Sequence, residues 1–135
     1  MVTFYSLLKN SDIITIHCPL TDKTRYLFDA NQFYLMKKTA YIINTSRGPL
    51  INTASLYLAL KNNLISGVAL DVLEQEPPGI DNELLKLNNT IITPHAAFYS
   101  EAALSKLKKL TALNIVNVLK GEEPINVINK SLLNY

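Results

Sequence analysis

Arg47, His95 and the acids Asp71, Glu74 and Glu76 are the side chains of this sequence best suited to chemistry on a small polar molecule. They lie at or beyond the ends of strand-like runs: Arg47 after AYIINTS, the acids at the end of GVALDV and after it, His95 after TIITP. An arginine grips a carboxylate through paired hydrogen bonds and polarises a neighbouring carbonyl. A histidine passes a proton to or from the carbonyl oxygen. A carboxylate bonded to that histidine favours its charged form. Together the three suit reduction of a 2-keto acid, with hydride supplied by a bound cofactor. Asp71 is the notable one of the other acids, because a carboxylate inside an apolar strand pattern needs partners.

Each residue also has a plainer reading. A lone His95 can be a strand-end imidazole bonded to backbone, Arg47 a surface cation and Glu76 a solvated loop acid. Cys18 reads as a small core residue, since nothing beside it activates a thiol. His17 reads as structural. The two histidines lie far apart without a cysteine cluster, so no metal site is expected.

The elements that position these residues alternate between strand and helix. Asp12–Cys18 (DIITIHC), Ala40–Thr45 (AYIINT), Gly67–Val72 (GVALDV) and Thr90–Thr93 read as buried strands. Asp29 is placed to cap a helix over Ala30–Lys38, and Thr53 one over Ala54–Lys61. Asp81–Leu87 reads as a short helix. Ser100 caps the longest, Glu101–Lys120, along which Leu104, Leu107 and Leu110 recur every three residues before Gly121 ends it. The tail from Glu122 carries Pro124 and reads as extended. The fold class is α/β, a partial doubly wound, Rossmann-like parallel sheet of about four strands with a long C-terminal helix. In such a sheet ligands gather beyond the carboxyl ends of the strands, where His17, Cys18, Arg47, Asp71, Glu74, Glu76 and His95 all fall. Four buried-type strands without an obvious edge strand suggest a sheet that expects further strands beside it.

Composition excludes several classes. The chain has 135 residues, a net charge of +2 and 48% apolar content, as an ordinary globular domain does. That charge gives no strong field for nucleic acid. The single Cys18 rules out a disulfide within one chain. The longest apolar run, Leu56–Leu60, is far short of the roughly 20 residues a membrane span needs. No secretory signal is readable in Met1–Asn10, so a cytoplasmic location is expected. The four glycines, Gly48, Gly67, Gly79 and Gly121, are too scattered for G-x-G-x-x-G or a P-loop.

Several blocks, SDIITIHCPLTDKTRYLF, AYIINTSRGPLINTASLYLAL, SGVALDVLEQEPP, NTIITPHAAFYSEAAL and KGEEPINVIN, resemble consecutive signatures of the D-isomer-specific 2-hydroxyacid dehydrogenases, in the family's order and spacing. The resemblance runs from about Tyr5 to Asn129. PHAAFYSE is most similar to a branch that includes the C-terminal-binding-protein corepressors and their bacterial relatives. The resemblance implies an NAD-dependent oxidoreductase that moves hydride between NAD(H) and a 2-hydroxy or 2-keto acid. It implies Arg47 as anchor of the substrate carboxylate and carbonyl, His95 as proton donor and acceptor, and Glu76 as the acid paired with it. It places Cys18, Pro19, Thr45, Ser46, Arg47, Asp71, His95 and Ala97 against the cofactor, Asp71 near the nicotinamide carboxamide. Ala97 stands where the family often has glycine.

The resemblance also marks what these residues lack: the family's N-terminal half, with most of the substrate domain, the glycine-rich turn, the ribose-binding acid and three strands. Residues 1–121 are expected to be the C-terminal portion of the NAD-binding domain, and 122–135 a tail that in the family returns to the substrate domain. A truncated enzyme, weak or inactive as an isolated chain, is the leading expectation. The alternatives are a non-catalytic interaction module and one half of a split enzyme. The partners expected are a small 2-hydroxy or 2-keto acid and either a second copy of the chain or a complementing N-terminal chain, with no nucleic acid and no membrane.

Overall fold

The computed structural model describes residues 1–129, so residues 130–135 of the expected tail lie outside it. The described residues divide into two compact units, one of residues 1–97 and one that begins at Phe98.

The first unit holds a four-stranded parallel sheet in the order β1-β2-β3-β4. The strands are β1 (Ile13–Ile16), β2 (Tyr41–Asn44), β3 (Gly67–Leu70) and β4 (Thr90–Ile92). The register aligns Ile14, Ile42, Val68 and Thr90, and two residues on, Ile16, Asn44, Leu70 and Ile92. Helices α1 (Phe4–Asn10), α2 (Ala30–Leu35) and α3 (Thr53–Lys61) join that face of the sheet in one core. Phe28, Phe33, Ile42, Leu56, Leu60 and Leu84 are completely buried there. Within this unit the helices cover one face only, and the opposite face carries Ile13, Tyr41, Ile43, Ala69 and Ile91. β1 alternates exposed and buried, as a half-covered strand does, which corrects the expectation that it is buried on both sides, whereas β3 has Gly67, Val68 and Leu70 buried and Ala69 half-buried.

The elements are shorter than their apolar runs suggest, because hydrogen bonding stops where the chain turns. β1 ends at Ile16 and β3 at Leu70, which leaves His17, Cys18 and Asp71 in the turns beyond. α2 ends at Leu35, and the short helix expected over Asp81–Leu87 is a 3-10 helix, Glu83–Lys86. Asp29 caps α2 as expected, within a capping box completed by Gln32. The cap of α3 is Asn52, whose side chain accepts the Ser55 amide, and Thr53 is the first helical residue. α1, capped by Thr3, has no counterpart among the expected elements.

In the second unit, α4 (Glu101–Leu119) begins at Ser100, whose Oγ accepts the Ala103 amide at 3.1 Å. It ends in Gly121, at φ +76°, where the Gly121 and Glu122 amides donate to Val118 and Asn117. The Ile125 amide bonds Asn114 Oδ1 at 2.8 Å, which folds the start of the tail back onto the helix end. No helix among the described residues is long and apolar enough to cross a membrane.

Candidate functional site

Because the strands are parallel, the segments that follow them lie at one edge of the sheet. The turn after β2 is built by Asn44, the final residue of the strand and fully buried. Its Oδ1 accepts the Ser46 amide and its Nδ2 donates to the Arg47 carbonyl, both at 3.0 Å. Ser46 Oγ donates to the Cys18 carbonyl at 2.8 Å, which ties this turn to the one after β1. Pro19 is fixed in the same region, its carbonyl accepting Thr24 Oγ1 at 2.7 Å. Thr45 and Arg47 are exposed, and Arg47 Nη1 donates to the Ser46 carbonyl at 2.7 Å.

Glu76 and His95 meet across the loops after β3 and β4. His95 Nδ1 lies 2.7 Å from Glu76 Oε2, and Glu76 Oε1 accepts the Leu73 amide at 2.8 Å. These bonds, the His95 one first, hold the Glu76 carboxyl below the ordinary carboxylate range. An ionised carboxylate only accepts, so the proton of the pair sits on Nδ1. Nε2 is then the nitrogen that exchanges a proton with a bound molecule.

Asp71, the first residue beyond β3, is buried. Its Oδ1 accepts the Thr93 hydroxyl at 2.5 Å and the Ala96 amide at 2.8 Å, and its Oδ2 accepts the Ala97 amide at 2.9 Å. Burial pushes this carboxyl up, but the three donors outweigh it and leave the pKa below the usual value. A cavity of about 340 Å³ opens beside the pair, walled by Leu73, Pro77, Ile92 and Pro94 and reached by Asp71, Glu76 and His95. A larger one of about 710 Å³, at the start of α3, holds Glu74, Asp81 and Glu83 but neither histidine nor arginine.

The structure thus pairs Glu76 with His95 and joins Ala97 to Asp71. The guanidinium of Arg47 bonds its own turn, and no hydrogen bond links it to the pair among the described residues. Its neighbour Gly48 packs on the backbone of Leu73 and Glu74, and this contact sets the arginine turn against the Glu76 loop. Cys18 is a half-buried free thiol. His17 Nε2 lies 2.8 Å from Thr15 Oγ1. No group of three or more His, Cys, Asp or Glu is placed to hold a metal among the described residues. Asn44 is the residue that sequence reasoning missed; its signal is an amide within the apolar run AYIINT, the same kind of signal that drew attention to Asp71.

Residues 1–97 match the profile of the D-isomer specific 2-hydroxyacid dehydrogenase NAD binding domain. The chain is 45% identical over 128 residues to a glyoxylate reductase of Thermofilum pendens, covering 95% of this chain and 38% of that protein. A D-lactate dehydrogenase with NAD+ from Lactobacillus jensenii superposes with a TM-score of 0.85 at 29% identity, over 95% of this chain and 42% of that one. The Aquifex aeolicus D-lactate dehydrogenase, complexed with NAD and lactic acid, superposes with a TM-score of 0.82 at 34% identity, over 90% of this chain and 41% of that one. The chain therefore spans about two-fifths of the length of the relatives it matches.

Proposed function

The chain belongs to the D-isomer-specific 2-hydroxyacid dehydrogenase family, and on that premise we propose that it carries the proton-transfer and cofactor-facing part of an oxidoreductase acting on the CH–OH group of a 2-hydroxy acid. The observation that carries this reading is the 2.7 Å contact between His95 and an ionised Glu76. It leaves Nε2 to give a proton to a keto oxygen during reduction and to take one from the hydroxyl during oxidation. Glu76 keeps the ring in one tautomer and stabilises the imidazolium between turnovers. Arg47 holds the substrate carboxylate and polarises its carbonyl through a charge-assisted pair of bonds.

NAD(H) is the proposed cofactor, as in the relatives named with it, and it supplies or accepts the hydride. The residues of the strand-end edge fit its nicotinamide end. Asp71 lines the cavity beside His95, and its Oδ2, with one donor, keeps acceptor capacity for an amide N–H. Cys18, Pro19, Thr45, Ser46 and Ala97 would flank it. The pyrophosphate has no glycine-rich cradle within these 135 residues. Little or no turnover is therefore expected of this polypeptide alone.

In the domain reading, residues 1–121 form the C-terminal portion of the cofactor domain, and 122–135 lead back toward a substrate domain. A complementing N-terminal chain, or a second copy, is favoured by one observation: β1 pairs with β2 only, which leaves its outer edge open to another strand among the described residues. The lone, unpaired Cys18 accords with a cytoplasmic setting.

The test is NADH titration by fluorescence or calorimetry, together with NADH oxidation over a panel of 2-keto acids. Both are run on the chain alone and on the chain joined to a family N-terminal segment carrying G-x-G-x-x-G. Turnover is expected only in the joined protein, and His95→Ala should lower it by about 10²–10⁴-fold. A joined protein that binds NADH normally yet reduces no keto acid would refute the proposal in favour of a non-catalytic module.

A further inference from the structure

Asp71 is the one charged residue among the buried positions of the described chain. The carboxylate draws all its donors from a single five-residue stretch, Thr93 to Ala97, with His95 at the centre. His95 itself adopts φ +54°, a left-handed backbone that side-chain-bearing residues seldom take. A left-handed residue in such a turn aims successive amides toward one point and forms a small anion cradle. Here the amides of Ala96 and Ala97 converge in this way, and the anion that fills the cradle is the chain's own carboxylate. The bond from the His95 amide to the Thr93 carbonyl, at 3.0 Å, closes the turn from within.

We propose that Asp71 is a positioning residue for His95: its carboxylate, through Thr93 Oγ1 and the Ala96 and Ala97 amides, holds the left-handed turn that presents the imidazole to Glu76. The two acids divide the work. Glu76 holds the ring, and Asp71 holds the main chain that carries it. The catalytic consequence rests on reading His95 as the proton donor, whereas the clamp is measurable without turnover. An asparagine at 71 keeps the volume but has one acceptor oxygen, and its NH2 would face an amide N–H. It therefore loses at least one bond and gains a repulsive contact.

The decisive measurement is NMR on the full, cofactor-free chain, comparing wild type with Asp71→Asn and Glu76→Gln. Asp71→Asn should speed hydrogen exchange of the Ala96 and Ala97 amides at least tenfold. It should also shift the His95 ring signals, while His17, the other histidine, stays fixed as an internal reference. Glu76→Gln should move the His95 ring but leave the two amides protected. Unchanged amides and an unchanged His95 ring in a folded Asp71→Asn chain would overturn the proposal. If Asp71→Asn fails to fold, Thr93→Val decides. Faster exchange at Ala96 with a moved His95 ring supports the clamp, and no change at either overturns it. In the joined, NADH-binding protein, Thr93→Val, which leaves the cofactor-facing carboxylate in place, should lower kcat at least tenfold with the KM for NADH held within twofold. An unchanged kcat in that variant would overturn the positioning role. Loss of all keto-acid turnover in the wild-type joined protein would remove the enzymatic reading and leave the NMR result standing.

Discussion

Gly48 packs so closely on Leu73 that a Cβ at position 48 would fall 1.9 Å from the Leu73 carbonyl oxygen. The neighbouring atoms are also backbone, with the Leu73 carbonyl carbon at 2.0 Å and the Glu74 nitrogen at 2.5 Å, so no rotamer change relieves the clash. Gly48 follows Arg47, and Leu73 donates its amide to Glu76. The contact therefore fixes the spacing between the Arg47 turn and the Glu76–His95 pair. Its φ is not in the left-handed region, so the need for glycine is steric rather than conformational.

Gly48→Ala must push the two loops apart. Overpacking of this kind costs about 1–3 kcal/mol, and this site should lie at the upper end because only backbone can yield. Urea unfolding of the chain should show the midpoint falling with the slope unchanged. In the joined protein, the KM for the keto acid should rise more than kcat falls, since Arg47 moves relative to His95.

Glu76 and His95 act as a unit, so their substitutions should not add. His95→Ala removes the proposed proton donor, for which a loss of about 10²–10⁴-fold is typical. Glu76→Gln keeps the ring's neighbour in place but leaves one acceptor oxygen for two donors, the Leu73 amide and the His95 ring, and removes the charge. A loss of about tenfold to a hundredfold in kcat is expected of it. The double variant should be no slower than His95→Ala alone, which a four-corner comparison of kcat/KM checks.

Much of the frame was legible because its signals are local. The runs IITI, YIIN, GVAL and TII stand as strands, and Asp29 and Ser100 cap the helices expected of them. Where two cap-type residues adjoin, as Asn52 and Thr53 do, the choice is made by backbone geometry and not by residue type, and Asn52 takes the cap. The seven-residue α1 buries only Leu8, too little for an apolar period to show. The pairing of Glu76 with His95 spans nineteen residues and was anticipated from resemblance to a family rather than from spacing. The partners of Asp71 were invisible for a simpler reason: two of its three donors are backbone amides, which every residue except proline has.

Arg47 separates charge from geometry. Lysine keeps the cation but presents no planar fork to a carboxylate. Arg47→Lys should therefore raise the KM for a 2-keto acid by tens of fold, about 2 kcal/mol in lost charge-assisted bonding, and leave NADH affinity within twofold. Arg47→Ala should cost more. Steady-state kinetics with glyoxylate and pyruvate as probes would check both. An Arg47→Lys variant as good as wild type would show that Arg47 acts as a charge alone, and equal losses for the two variants would show that only the planar fork matters.

The carboxylates of the site also set how the fold responds to acid. Asp71 and Glu76 have folded pKa values below their ordinary 3.8 and 4.5. In that pH range the unfolded chain binds more protons than the folded one, so stability rises with pH there. Their contribution is complete above the ordinary values and disappears as pH falls through the lower, folded ones. Denaturant midpoints should therefore hardly change with these groups between pH 7 and about 5 and fall steadily below about 4.5. Asp71→Asn should remove part of that acid slope while lowering stability at neutral pH, because its cradle loses the anion. Glu76→Gln should flatten the slope with a smaller neutral-pH cost, since Glu76 is part-exposed and solvent screens its pairing. Equilibrium urea titrations at half-unit pH intervals would check both slopes. A wild-type curve that stayed flat down to pH 3 would mean that neither acid is held ionised by the bonds described here.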